Sequence, residues 1–560
     1  MSDIVIPPGL VLIVGAFALP FVSLRLRNVL LLGLPLVALA LVWMVPDGEA
    51  LRLSWFGYEL TPVRGDALAR VFGTVFALMV FGGGLYSLNQ PRTLELTSAY
   101  AYAGSALGVV FAGDLLSVFV FWELMALAST MVIWSAGREA WGPGIRYAII
   151  HLLGGVILMA GVAGQIWTTG DIGFHAMATD GWPRWLILAG FLINAGAPPL
   201  QAWLPDAYPA ASWSGMVFLS AFTTKTAVYV LMRGFPGAEI LLWVGLFMAC
   251  YGIVFAILEN DMRRILAYSI INQVGFMVTG IGIGTELALN GAAAHAFAHI
   301  IYKALLLMSA GSVLYMTGKS KCTDLGGLFR TMPVTTVCGT IGALAISAFP
   351  LTSGFVSKSM INSAAGEEHL AVVWFVLAAA TAGVFLHAGI KFPWFVFFQK
   401  DSGMRPPDPP ANMRWAMYLL SAICIGLGVF PQPLYAILPY PVDYEPYTGS
   451  HVVQQLQLLL FSGLAFFLLL NALKRTRTIT LDVDWLWRGL APGPAVRLAR
   501  WVSAWRAVAL ERLGGSLTFV VGSLRRHHGP EGIVGGTWPT GVMAFWTTVL
   551  LAGLLVVYYI

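Results

Sequence analysis

Apolar stretches long enough to cross a bilayer follow one another almost from end to end of this chain. The hydrocarbon of a membrane takes about 20 helical residues. About sixteen such stretches can be marked, near 4–24, 28–45, 66–89, 94–112, 115–136, 144–166, 184–204, 212–232, 238–258, 265–283, 291–316, 334–361, 370–392, 414–431, 452–473 and 541–560. Lipid offers no partner to an open backbone, and these runs are continuous rather than alternating. The expected fold class is therefore an all-α polytopic membrane protein. Composition closes off the soluble alternative, because 11% of the 560 residues are charged against about 25% in soluble domains. The first stretch lacks a basic leader and runs into further spans, so it reads as a span and not a signal peptide.

Basic residues are retained on the cytoplasmic side of short loops. Arg25 and Arg27, Arg92, Arg138, Arg263 and Arg264, Lys319, Lys321 and Arg330, Lys400 and Arg405, then Lys474, Arg475 and Arg477 follow odd-numbered spans. The loops after even-numbered spans are poor in them and carry Asp171, Asp180, Glu367, Glu368, Asp443 and Glu445. The alternation puts the N-terminus outside the cell's inner (plasma) membrane. Residues 51–62 alternate apolar and polar, which predicts a short extracytoplasmic strand or hairpin. Residues 401–413 form a proline-rich cytoplasmic loop. Near 494–513, Leu498, Trp501, Val502, Trp505 and Val508 recur at helical spacing beside Arg497, Arg500, Arg506, Glu511 and Arg512. Such a helix lies in the membrane plane, either touching anionic lipid or serving as a lateral brace pinned by the last span.

Other chemistries find no foothold. Cys250, Cys322, Cys338 and Cys424 stand far apart, with no spacing for a cluster, a zinc site or a disulfide framework. No glycine-rich nucleotide loop occurs. A net charge of +5 is too small and scattered for nucleic acid. No cofactor, no metal and no catalytic centre of its own are expected.

Two spans carry interruptions, INAGAPPLQAWLPD at 193–206 and AISAFPLTSGFVSK at 345–358. Proline removes a helix hydrogen bond and can split the segment. Corresponding breaks in two halves of a transporter point to inverted repeats around a midplane site. The breaks fall five spans apart, so spans 4–8 and 9–13 would form two five-helix repeats, with broken helices 7 and 12. Unrelated kinks would look the same in isolation. The division expected is 1–92 (three helices and the hairpin), 93–233 and 234–395 (the repeats), 396–480 (helices 14 and 15), 481–540 (the lateral helix) and 541–560 (the final span).

Ionisable residues inside spans are expensive and tend to do work. Glu123 lies deep in span five and Lys225 midway along span eight. His295, His299 and Lys303 recur every four residues on one face of span eleven, and Lys358 follows the second break. Static alternatives exist: an ion pair between Glu123 and Lys225, interhelical hydrogen bonds for the histidine–lysine stripe, and snorkelling for Lys391, which with His387 lies toward the cytoplasmic end of span thirteen. Amines and imidazoles that exchange partners can pass protons, and Thr223, Thr224, Ser269, Asn272 and Gln273 could hold water between them.

The segments FWELMALAST, PLQAWLPDAYPAAS, KTAVYVLMR, NDMRRILAYSIINQVGF, HAFAHIIYKALLLMSAGSV and SAFPLTSGFVSK together resemble, in order, the motif series of the antiporter-like subunits of respiratory complex I, membrane-bound hydrogenases and Mrp-type cation/proton antiporters. The chain is most like the D-type subunit of the Mrp antiporters. The resemblance implies two half-channels, one per repeat, joined by a midplane polar axis. By motif, Glu123 is the fifth-helix glutamate, Lys225 the eighth-helix lysine, His295, His299 and Lys303 the eleventh-helix relay, and Lys358 the twelfth-helix lysine. One position departs: where the family has a lysine in the broken seventh helix, this chain has Asn194, which carries no charge. The implied function is a proton-translocating subunit of a multi-subunit monovalent cation (Na+)/proton antiporter. Its expected partners are the other subunits, the lipid bilayer, protons and Na+. The alternatives are the same type of subunit in a complex I-like or hydrogenase-type assembly, or a structural scaffold without transport.

Overall fold

The computed structural model describes residues 5–473, 482–490, 492–530, 532 and 534–560; Lys474, Arg475 and Arg477, used above for orientation, lie outside them. The chain forms two compact units, Met1–Asp484 and Trp485–Ile560. The first begins with α1 (Pro8–Ala18) and α2 (Leu24–Met44), then a hairpin of β1 (Gly48–Trp55) and β2 (Tyr58–Gly65), longer than the 51–62 expected. Next come α3 (Ala67–Tyr86), α4 (Thr93–Phe111), α5 (Leu115–Trp134) and α6 (Trp141–Thr169). The seventh span is split into α7 (Trp182–Ala195) and α8 (Trp203–Ala207), and the eighth into α9 (Gly215–Leu219) and α10 (Thr223–Gly234). Three unbroken helices follow, α11 (Glu239–Leu258), α12 (Met262–Ile283) and α13 (Glu286–Thr317). The twelfth span is again split, into α14 (Pro333–Ile346) and α15 (Ser353–Glu367). After α16 (Ala371–Val384) the helix continues in π turns over Phe385–Lys391 and Trp394–Phe398. The unit closes with α17 (Ala411–Val429), α18 (Gln432–Tyr435) and α19 (Gly449–Leu468). The second unit comprises α20 (Pro492–His528) and α21 (Thr540–Tyr559).

Among the described residues thirteen helices are long and apolar enough to cross a membrane, with Pro8–Phe21 and Pro333–Ile346 as shorter apolar helices. That measure gives a smaller number than the sixteen marked in the sequence. Splitting accounts for part of the difference, since a broken span presents two short helices.

Burial is graded from rim to centre. The spanning windows of α12 and of Gly215–Gly234 are 100% buried and that of α13 is 94% buried, against 17% for α19. The helices bearing Lys225, His295, His299 and Lys303 are thus the innermost, where no lipid reaches them. Close approach makes this possible: a Cβ on Gly245 would lie 2.4 Å from Thr279 N, and one on Gly282 2.2 Å from Leu242 N, so α11 and α12 meet backbone to backbone as small residues permit. The hairpin is tied to the bundle through Asp114, which caps α5 and accepts the Thr61 N–H at 2.7 Å.

Candidate functional site

Each break exposes carbonyls that a continuous helix would have used, and lysines answer two of them. Gly196, at φ +77°, ends α7, with Gly196 N bonded to Ile193 O and Ala197 N to Leu192 O. Ala348, at φ +56°, ends α14 with the same pair of bonds, Ala348 N to Ala345 O and Phe349 N to Leu344 O. Across this second gap Lys358 Nζ donates to Ile346 O at 2.9 Å and lies 4.7 Å from the centre of the Phe276 ring. Between α9 and α10, Lys225 Nζ donates to Ser220 O at 2.6 Å and to Thr224 Oγ1 at 3.1 Å.

Lys303 Nζ donates to Ser269 Oγ at 2.9 Å and Leu266 O at 3.3 Å on α12. On the same face of α13, His295 Nδ1 lies 3.0 Å from Ser357 Oγ, beside Lys358 in the chain, and its Nε2 3.2 Å from Gln273 Oε1. Tyr302 donates to the same Gln273 oxygen at 2.9 Å. His299, between His295 and Lys303, has both ring nitrogens buried without a hydrogen bond. Lys225, Lys303, Lys358 and His295 all lie near enough for their charges to act on it. None of the ion pairs among the described residues involves Lys225, Lys303 or Lys358. A proton can leave such an amine without separating it from a fixed carboxylate partner.

The structure therefore brings together Lys225, His295, His299, Lys303 and Lys358. Glu123 stands apart from them. It is half-buried, makes no ion pair with Lys225, and rests against α6, where a Cβ on Gly155 would fall 1.8 Å from its Oε1. The static ion pair considered from the sequence is thus absent among the described residues. Asn194 is fully buried, with neither amide atom in a well-formed hydrogen bond.

Of the polar positions expected to hold water, Thr224 and Ser269 accept from the amines. Thr223 is bonded to Tyr102, and Asn272 Nδ2 donates to Ala249 O at 2.7 Å. Lys391 does not snorkel. It is 3% exposed, and its amine caps the end of α11 on the carbonyls of Ala256, Ile257 and Glu259.

Several buried ionisable groups escaped the sequence reading, Glu95 and His151 among them. Glu95 on α4 is fully buried and accepts from Ser212 at 2.7 Å, Gln90 at 3.0 Å and Ser214. His151 on α6 is 1% exposed. Both had the look of ordinary span residues: Glu95 opens a helix, where a carboxylate suits the dipole, and His151 is a lone histidine in an apolar run. Among the described residues no group of three or more His, Cys, Asp or Glu could hold a metal ion.

Residues 112–385 match the family model described as NADH:quinone oxidoreductase/Mrp antiporter, TM. The chain is 32% identical over 437 residues to the A/B subunit of a probable K(+)/H(+) antiporter of Rhizobium meliloti, covering 71% of this chain and 43% of that one, so it spans less than half of that relative's length. It is 28% identical over 475 residues to the D subunit of the Na(+)/H(+) antiporter of Alkalihalophilus pseudofirmus, covering 78% and 95%. It is also 28% identical over 433 residues to the N subunit of the NADH-quinone oxidoreductase of Desulforudis audaxviator, covering 70% and 86%. Among solved structures, the Mrp complex from Dietzia sp. shares the fold at a TM-score of 0.68 and 21% identity, covering 81% of this chain and 97% of the matched one. The archaeal membrane-bound sulfane sulfur reductase shares it at 0.71 and 23%, covering 98% and 99%. On its motif series, its family match and its fold, the chain belongs to the antiporter-like, multi-pass membrane subunits of the NADH:quinone oxidoreductase/Mrp antiporter family.

Proposed function

We propose that this protein is the proton-translocating subunit of a multi-subunit monovalent cation (Na+)/proton antiporter in a bacterial-type inner membrane, with its N-terminus on the outer side. The single observation that carries the reading is the row Lys225, His299, His295, Lys303 and Lys358. It comprises five buried groups on the innermost helices, and its lysines are seated on carbonyls and hydroxyls with no carboxylate partner among the described residues. Protons pass along this row, and the two interrupted spans belong to two inverted five-helix repeats. Two relatives that are named as antiporter subunits, those of Rhizobium meliloti and Alkalihalophilus pseudofirmus, support the antiporter assignment.

A second reading has its own support. The structural likeness to a component of an archaeal respiratory membrane complex extends over 98% of the chain, which is the form expected were partners to drive the same row by redox chemistry.

The test uses the complex purified with its partners and reconstituted in vesicles. Lys225→Ala and Lys358→Ala should each lower Na+- or K+-driven proton release by about tenfold or more, on the scale of losing a proton-transfer group, with assembly intact. Unchanged exchange by both variants in an intact complex would reduce this protein to a scaffold.

A further inference from the structure

The first half of the molecule has an uncharged Asn194 in its broken helix, and the structure gathers buried polar atoms around it. Asn194 Oδ1 and Nδ2, His151 Nδ1 and Nε2, and Glu123 Oε1 are buried without a well-formed hydrogen bond, though His151 and Asn194 approach as weak partners of each other. A buried polar atom without a good partner is costly, so their gathering along one stretch of α6 sets that stretch apart from ordinary packing.

That stretch has a definite form. His151, Gly154 and Gly155 are spaced i, i+3, i+4 and share one helix face. The Glu123 carboxylate occupies the space a side chain at Gly155 would need, and a Cβ on Gly154 would lie 3.6 Å from Asn194 Oδ1. His151 is itself near enough to Asn194 to interact. The paired glycines therefore let Glu123 of α5 and Asn194 of α7 pack directly against α6, one turn from the imidazole.

The other side of the imidazole leads toward the central row. Tyr147, one turn earlier, packs at a tilt against His151 with ring centres 4.0 Å apart, and Trp203 of α8 meets it edge-on at 4.6 Å. The Tyr147 hydroxyl lies 2.9 Å from Ser129 Oγ and 3.4 Å from Thr223 Oγ1. Thr223 adjoins Thr224, which accepts from Lys225 Nζ.

We propose that His151 is a proton carrier of the first half of the molecule, passing protons between Glu123 and the Tyr147–Thr223 path to Lys225. An imidazole accepts a proton on one nitrogen and releases one from the other, whereas the Asn194 amide carries none. The transfer is a proton exchange only: Glu123 loses a proton as one ring nitrogen gains it, and the other nitrogen gives one up. This inference rests on the proton-translocating reading above.

The test is proton release from vesicles holding the whole complex, after a pulse of NaCl or KCl. H151Q keeps the size and hydrogen bonding of the side chain but cannot carry the proton, and it should lower the initial rate by about tenfold or more. Adding N194K to H151Q should restore at least part of the rate, because it returns a titratable group to the gap; a merely structural histidine predicts no rescue. G155A, whose new methyl meets first the movable end of Glu123, should assemble normally and also slow release.

H151Q at the wild-type rate, in a complex that K225A or K358A still inactivates, would overturn this inference while leaving the proposed function standing. Wild-type vesicles that release nothing, or lysine variants without effect, would overturn the proposed function and this inference with it. Should H151Q fail to assemble, G155A decides: a wild-type rate refutes a route along this face of α6 and a slowed one supports it.

Discussion

Four lysines sit inside the bundle, and each is bound to backbone oxygen. Lys225 and Lys358 answer carbonyls freed at helix breaks beside the row, while Lys391 holds the carbonyls that end α11. This difference predicts opposite phenotypes. Lys391→Met leaves as many as three carbonyls short of a donor and should cost about 2 kcal/mol, read as a lower denaturation midpoint of the purified complex, with the remaining folded protein still exchanging ions. Lys225→Ala should show the reverse, with a larger loss of exchange than of stability.

The contrast also shows what a sequence can and cannot reveal at this scale. Charged letters in apolar runs marked Lys225, Lys303 and Lys358 at once. Lys391 sat close enough to a span end to pass for an interfacial lysine, because which carbonyls await it depends on where α11 stops in space. His151 gave a signal only in combination with the two glycines a turn later, and that pattern acquires meaning once α5 and α7 are known to face it.

At the scale of elements, the two proline-bearing interruptions were readable in INAGAPPLQ and AISAFPLTSG because proline and glycine announce them. The break between α9 and α10 was not. Its residues, Ser220–Phe222, include neither proline nor glycine, and the Ser220 carbonyl is claimed instead by the Lys225 amine five residues on. The two proline-bearing breaks share one cap geometry, and the final span of each proposed repeat departs from regular α-helix, by the α9–α10 break in one and π turns in the other. Both correspondences support the inverted-repeat proposal.

They also define a prediction from backbone conformation. Gly196 has room for a methyl, the nearest atoms to a Cβ there being 3.8 and 3.9 Å away, so only its left-handed φ opposes one. Gly196→Ala should therefore cost about 1–2 kcal/mol, measured by thermal denaturation in detergent. Ala348→Gly, at the equivalent corner, should cost less, since relief of the left-handed strain offsets the lost methyl contact. An equal cost at both corners would separate the two breaks and weaken the repeat.

For the molecule as a whole, the two units differ in kind. Met1–Asp484 has its own deep core, whereas Trp485–Ile560 forms two helices with large apolar side chains exposed, among them Trp501, Trp505, Phe519 and Leu554. α20 runs 37 residues to His528, well beyond the segment 494–513 read as amphipathic, at about 1.5 Å per residue a rod of some 55 Å. That is nearly twice the roughly 30 Å of the hydrocarbon, and it carries Arg497, Arg500, Arg506 and Arg512 along one half. Lying along the membrane suits such a rod better than crossing it, and we propose that it braces neighbouring subunits. Ending the chain after residue 484 should then leave the first unit folded, with its denaturation midpoint in detergent within a few degrees of the full chain. The same truncation should reduce the partners recovered in mild detergent. Full recovery of partners with the truncated chain would remove the brace, whereas collapse of the first unit would show that its core is completed from outside.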